Sequence, residues 1–593
     1  MNRRLFLKTS LLGTASMGAL GLRTVKSDLG LELNKIPESD QYGFFISDLS
    51  LCEPSSSLTR KFESDKWQLV DYETTEGVSG TMLYARPEEN CSPLTIPLNA
   101  KGFHRVYLGI NYTNSHYPGW SSHGQIDVKL SGDRGYRRVA AELRGLEGQD
   151  LFKSVVEVYW KTADLTGQVF QFRQPQPPYR LLREANLANL CYIRLVPVSE
   201  SELEKWKKSL PAEGTRNLSL IYCTAQLSGS TDGTENFHPT SDSWFIDDFE
   251  PYRNTDIGTF IFEALRGNYA LYRSKIADVG ADGESKWHEE WVDPLEKFTH
   301  EAHAEGMKIL AALRMIGPQY PMIRAPISRA RHYWFHPQWT KRDREGRPVS
   351  NLSLAFKGAR EYWISLLRET LDYGTDGVHL HLNRSTPFVL FEEPVVQEFI
   401  EKYGEDPRKI IGRDERLIQH RADYVTQFVR EVRELVDEKP GRLLGVTVFG
   451  PTKERPEDFY YKEKSYVCDV ERWLREGFVD MVIPSQYIDL EVLKRWSSLA
   501  GPHTRICPDL MPRSMPPEKF AQLARTYRQA GAHGFGLWDG ERRQAFLSQW
   551  EVVRQLGHFQ FHAELSSPVK SDWRNVELKT LSEFSLPDSF RDG

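Results

Sequence analysis

The chain has 593 residues, more than one ordinary domain holds, so about two or three domains are expected. Its 76 Lys and Arg against 82 Asp and Glu leave a formal charge of −6. No basic run is long enough to track a phosphate backbone, so no nucleic-acid partner is expected. The 15 Trp, 25 Tyr and 30 Phe offer faces that stack on sugar rings, although core filling is the default role for most of them.

The first residues, Asn2-Arg3-Arg4-Leu5-Phe6-Leu7-Lys8, resemble a twin-arginine export motif. The weakly apolar stretch Thr9–Leu22 follows. It is short and rich in Gly, Ala, Ser and Thr, which suits the h-region of a signal peptide rather than a membrane span. Residues 1–33 are therefore expected to be a signal and linker, with the mature chain starting between Leu20 and Asn34. The expected destination is periplasmic or extracellular, without stable membrane insertion. Cys52, Cys91, Cys191, Cys223, Cys468 and Cys507 show no C-x-x-C or Cys/His cluster with zinc-ligand spacing, so no structural zinc is expected. A disulfide within the N-terminal half stays open.

From Tyr42 to Asn254 short β-branched and aromatic runs recur between turn signals. They are Val106–Tyr112, Gln125–Leu130, Ser154–Trp160, Gln168–Phe172, Cys191–Pro197 and Leu218–Cys223. Glu200–Ser209 is the main helical insert, and Ser243–Arg253 reads as a closing strand. Regular short strands of this kind predict a β-sandwich. The segment resembles the galactose-binding-like modules found beside glycoside-hydrolase barrels, with Tyr112, Tyr117 and Trp120 as one sugar platform to consider.

After Asn254 strands and helices alternate. The expected strands are Thr259–Glu263, Met307–Leu313, Asn351–Ala355, Gly377–Asn383, Leu443–Phe449, Val479–Pro484, Thr504–Cys507 and Gly534–Trp538. The helix over Ile418–Glu438 carries its apolar residues on a 3.6-residue period. Asp293-Pro294 reads as a cap and first-turn proline opening Pro294–Glu305. No Gly-rich nucleotide loop follows any strand, so a (β/α)8 barrel over 255–560 is preferred to an open doubly wound sheet. Residues 561–593 form a C-terminal extension, in which Val576–Leu581 reads as an added strand.

The fourth of these strands and its loop, DGVHLHLNRSTPFVLFEEP (Asp376–Pro394), concentrate the reactive side chains. Val378, Leu380 and Leu382 alternate with His379, His381 and Asn383, which puts the two sets on opposite faces. Asp376, at the strand's N-terminal end, is expected to be structural. In a barrel, function sits on the loops that follow the strands. Those positions include Glu263, Arg314, Asn383, Arg384, Glu392, Glu393, Gln486, Tyr487, Asp509, Trp538 and Asp539. Carboxylates, amides, arginines and aromatics without a metal cluster suit a carbohydrate substrate, and neither cofactor nor metal is expected. Glycosidic cleavage needs two carboxyl groups. Glu393 or Glu392 is assigned the general acid, Asp509 its partner, and Asp539 the reserve. The competing role of Glu392-Glu393-Pro394 is a helix N-terminus, where acids complement the dipole. His379, His381, Asn383, Arg384, Gln486, Tyr487, Trp538, Glu263 and Arg314 are assigned to substrate binding.

Three blocks in order, NLSLAFKGAREYWISLLRETLDYGTDGVHLHLNR, YVTQFVREVRELVDEKPGRLLGVTVFG and VERWLREGFVDMVIPSQY, resemble the family-10-like glycosyl hydrolases. The resemblance covers Ile257 to Gly557 and implies a TIM-type barrel acting on a polysaccharide or cell-envelope glycan. Where many relatives carry an Asp-Asp pair after the fourth strand, this chain has His381 and Leu382. Asn383 is followed by Arg384 rather than by the Glu of true family-10 enzymes. Two other readings stand beside this one. A catalytically idle barrel would bind a glycan without turnover, and a metal-dependent hydrolase would chelate through His379 and His381.

Overall fold

The computed structural model describes residues 23–26, 32–35, 43–61, 63–86, 89–111, 124–140, 154–175, 188–223, 239–267, 269–279, 287–315, 335–383, 387–412, 414–451, 467–511, 517–538, 547–561 and 573–581. The C-terminal unit is built on eight parallel strands: β1 (Leu218–Tyr222), β2 (Ile257–Arg266), β3 (Lys308–Arg314), β4 (Gly377–His381), β5 (Leu443–Phe449), β6 (Met481–Ser485), β7 (Arg505–Ile506) and β8 (Phe535–Trp538). Their order is β8-β1-β2-β3-β4-β5-β6-β7. A bridge between Asp509 and Gly536 brings the end of β7 against β8 and closes the ring. There Gly536 N donates to Pro508 O (2.9 Å) and Leu510 N to Gly536 O (3.0 Å).

Alternation along the strands decides which side chains enter the barrel. Leu220, Phe260, Ile309, Val378, Leu380 and Val446 point outward into the large core under the helices. Ile221, Ile261, Leu310, Ala312, Ile483 and Trp538 form a separate cluster inside the ring. Each such burial contributes about 1.5–3 kcal/mol, and a one-residue slip of any strand would turn its outward set into the barrel and its inward set under the helices.

The covering helices include Asp242–Phe249, Pro294–Ala304, Lys357–Asp372, Glu415–Asp437, Leu490–Leu499 and Pro517–Gln529. Asp293 caps the second of these as expected, its Oδ1 accepting from the amides of Leu295 (3.0 Å) and Glu296 (3.3 Å). Asp376 is structural, taking the Ile309 amide (2.8 Å) and the exposed His303 ring (2.9 Å) at the N-terminal end of the strands.

Three elements differ from expectation. Leu218–Tyr222 is the first barrel strand, not a sandwich strand. It is buried on both faces, as a parallel strand between two others must be. Ser243–Arg253 is not a closing strand. Ser241 caps the helix Asp242–Phe249, and Phe245 packs edge-on against Phe298 of the next helix at 5.2 Å. Asn351–Ala355 is not in the barrel either. Pro348–Leu352 pairs with Thr340–Arg342 in a separate two-stranded hairpin, and Leu354 N donates to Phe388 O (3.2 Å).

N-terminal to the barrel lie two antiparallel sheets. The larger contains Tyr192–Pro197, Phe103–Asn111, Ser154–Asp164, Trp573–Leu581, Trp67–Thr74 and Ser79–Ala85 in that order; the smaller runs Arg137–Ala140, Gln125–Leu130, Val169–Arg173, Leu94–Pro97. Leu108, Val156, Val158 and Ile193 of the first share one apolar core with Ile96, Ile126, Val128, Phe170 and Phe172 of the second. The two sheets therefore pack face to face. After the barrel the chain returns to this unit, where Trp573–Leu581 fills the gap between Ser154–Asp164 and Trp67–Thr74. All six cysteines are buried free thiols. Tyr112, Tyr117 and Trp120 lie outside the described residues.

Candidate active site

The C-terminal ends of the strands bring inward-facing polar groups to one rim. Glu263 on β2 is fully buried and ion-paired with Arg314 at the end of β3, at 3.3 Å. The Cys223 thiol, one residue past β1, donates to Glu263 Oε2 (3.3 Å) and lies 3.5 Å from Arg314 Nη1. On the far side Asn383, just past β4, donates from Nδ2 to Ser485 Oγ at the end of β6 (2.8 Å). Asp509 follows β7, buried, with Oδ1 accepting the Trp538 amide (3.2 Å).

One layer deeper, rings fill the barrel. His381 packs on Trp538 with centroids 4.8 Å apart and on His379 at 5.0 Å. β4 and β8 are opposite strands of an eight-strand ring, so the His381–Trp538 contact spans the barrel and forms the floor beneath the rim groups. His379 Nε2 bonds Thr447 Oγ1 (2.6 Å). Complete burial pushes the His379 imidazole down to about 3, because the cation has no water to solvate it. It is neutral at ordinary pH.

The loop acids have partners of their own. Glu392 is the cap residue of the helix Glu393–Tyr403 and is fully buried. Its carboxylate accepts from the amides of Leu390 (2.8 Å) and Arg342 (3.3 Å), beside the buried Lys341. Burial pushes Glu392 up and Lys341 down to about 8. Glu393 is exposed on the first helical turn and accepts from its own helix neighbour Gln397 (2.8 Å). These contacts give both residues structural partners. Glu392 joins the hairpin to the helix, and Glu393 is a helix N-terminal carboxylate.

Gln486 follows β6 half-buried with a left-handed backbone (φ 67°), and Tyr487 beside it is exposed. Arg384 and Asp539 lie outside the described residues. Cys223, Thr447 and Ser485 are site residues that sequence reasoning did not single out. Thr447 and Ser485 sit at inward positions of strands that were recognised, so strict counting by two would have found them. Cys223 was hidden because its strand was assigned to the N-terminal unit. Among the described residues no group of three His, Cys, Asp or Glu is arranged to hold a metal ion. None of the described helices is long and apolar enough to cross a membrane.

Residues 240–496 match the family model described as "Glycosyl hydrolase-like 10". No curated protein matches the chain in sequence. Among solved structures, the α-galactosidase from Thermus thermophilus in complex with p-nitrophenyl α-D-galactopyranoside is similar at 10% identity. The match covers 90% of this chain and 95% of that one, with a TM-score of 0.31. Trehalose-6-phosphate hydrolase of Bacillus licheniformis is similar at 13% identity over 56% of this chain and 65% of that one, TM-score 0.32. Overlap at this level says nothing about substrate or reaction.

Proposed function

We propose, from the glycosyl hydrolase-like 10 match over residues 240–496, that the barrel hydrolyses a glycosidic bond in a polysaccharide or envelope glycan with two rim carboxyl groups, Glu263 and Asp509. The observation that carries this reading is the inward rim itself. Two buried acids stand at the C-terminal ends of β2 and β7 with an amide, a hydroxyl and a guanidinium around them. That is where barrel chemistry is built.

Glu263, already ion-paired with Arg314, takes the part of the carboxylate that attacks the anomeric carbon or activates water. Asp509 takes the part of the acid that protonates the leaving oxygen. Asp539, after β8, remains the alternative acid. His381 and Trp538 offer an apolar floor for a sugar ring, while Asn383, Gln486 and Tyr487 supply hydroxyl partners from the rim. Export through the Arg3-Arg4 signal would place this activity outside the cytoplasm. Replacing both arginines by lysine should then leave the chain in the cytoplasmic fraction.

The test is reducing-end release from a panel of glycans. Glu263→Gln and Asp509→Asn should each lower turnover on the order of a thousandfold while keeping the wild-type circular dichroism. If both variants retain full activity, the carboxylate assignment is wrong. If the wild-type chain binds a glycan but releases nothing at high enzyme concentration, the barrel is a binder rather than a hydrolase.

A further inference from the structure

The register of the first three strands brings a thiol against the carboxylate of Glu263. β1 and β2 run parallel, with Ile221 beside Ile261 and Tyr222 beside Phe262. Ile221 and Ile261 both enter the barrel, so alternation makes Cys223 and Glu263 the next inward pair, side by side. Between β2 and β3, Phe262 pairs with Ala311 and Leu265 with Leu313, so β2 takes three steps where β3 takes two. The extra residue is a bulge directly after Glu263, and bulges re-aim the side chains around them. Ala264 and Leu265 both pack in the outer core, and Ala264 O accepts the Leu271 amide (2.9 Å) of the returning chain. Arg266 thereby comes level with Arg314, and both arginines reach the same carboxylate.

Charge and orientation come from different partners. Arg314 Nη1 stands 3.3 Å from Oε1 and 3.3 Å from Oε2, so its charge favours neither oxygen. Arg266 is at ion-pair distance only, with Nε 4.0 Å from Oε1. Among these contacts the Cys223 thiol is the asymmetric one. It donates to Oε2 (3.3 Å), while its sulfur accepts from Arg314 Nη1 at 3.5 Å. An S–H group is a weak donor. Both Cys223 and Glu263 are buried, however, and away from water a hydrogen bond is electrostatically stronger.

We propose that Cys223 is the positioning residue of the rim: its thiol fixes the rotation of the Glu263 carboxylate, while Arg314 supplies the balancing charge. The consequence for turnover rests on the reading of Glu263 as the carboxylate that attacks the anomeric carbon or activates water. A carboxylate that turns about its last bond spends part of its time off the line of attack. Losing the one contact that sets its rotation lowers turnover about tenfold. Substrate affinity is unaffected, because Cys223 meets the carboxylate and not the sugar.

The first experiment compares kcat and KM of full-length variants on a glycan that the wild type cleaves. Cys223→Ala should lower kcat about tenfold with KM unchanged. Cys223→Ser, whose hydroxyl donates in place of the thiol, should recover most of that loss. A wild-type kcat in Cys223→Ala, a loss carried by KM, or a serine variant no better than alanine overturns the positioning role. The second experiment needs no turnover. In Glu263→Gln the carboxylate charge facing the thiol is gone while Arg314 stays, a setting that favours the thiolate. Labelling of Cys223 by iodoacetamide is read by peptide mass spectrometry against the other five buried cysteines. That ratio should rise about tenfold over wild type, and a ratio that stays at the wild-type value overturns the contact. If Glu263→Gln keeps full activity, the carboxylate assignment falls while the labelling still judges the thiol contact. If Glu263→Gln is inactive and Cys223→Ala is as active as wild type, only the positioning role fails.

Discussion

Gly445 of β5 lies under the imidazole of His379, and a β-carbon built there would stand 2.3 Å from Nδ1. The ring has little room to retreat, since it is fully buried and held by Thr447 on its other nitrogen. Gly445→Ala should therefore destabilise the chain by about 1–3 kcal/mol through overpacking, read from the urea midpoint. Adding His379→Ser should recover part of that loss, because the smaller side chain vacates the space. A midpoint unchanged by Gly445→Ala would show that the ring shifts freely. At this scale the polar face of β4 was legible because alternation on a strand is a local property. His379, His381 and Asn383 enter the barrel while Val378, Leu380 and Leu382 face the helices. Their contacts with Thr447 and Ser485 were not legible, because those contacts join residues about seventy to one hundred positions apart.

Between β4 and its helix, two adjacent acids have opposite environments. Glu392→Ala should cost about 3 kcal/mol, because it strips the amides of Leu390 and Arg342 of their acceptor and removes the carboxylate beside the buried Lys341. Glu393→Ala, exposed one residue on, should change stability by less than about 0.5 kcal/mol. Thermal melts of the two variants side by side check the assignment, and equal effects would reject it. Helix caps and strand periodicity were readable because they depend on a few neighbouring residues, as at Asp293 and along β4. The segments misread were those whose partners are remote. Asn351–Ala355 has the composition of a strand, but its amides meet the hairpin and Phe388 rather than the barrel. Trp244, Phe245 and Phe249 fit either period in a short window, and the cap at Ser241 with packing on the next helix selects the helix.

For the whole molecule, the last strand ties the two units together. Trp573–Leu581 bonds Ser154–Val158 on one side and the Tyr72–Thr74 end of another strand on the other. Removing residues 562–593 would leave two unpaired edges in the middle of the larger sheet. Calorimetry of that truncation should show a first transition at lower temperature, belonging to the sheet unit, with the barrel transition little changed. A single transition at the wild-type temperature would mean the strand is dispensable.

The chain by itself determined that strands and helices alternate after Asn254, that β4 presents a polar face, and that residues of a glycosyl hydrolase-like pattern run through the barrel segment. Each of these follows from local periodicity or from the order of neighbouring blocks. Only the tertiary structure decided that Leu218–Tyr222 opens the barrel, that Glu263 meets Arg314 and Cys223, and that Glu392 takes the amides of Leu390 and Arg342. Those outcomes depend on which distant segments share a sheet or a buried charge, and burial energies are set only once the chain has closed on itself.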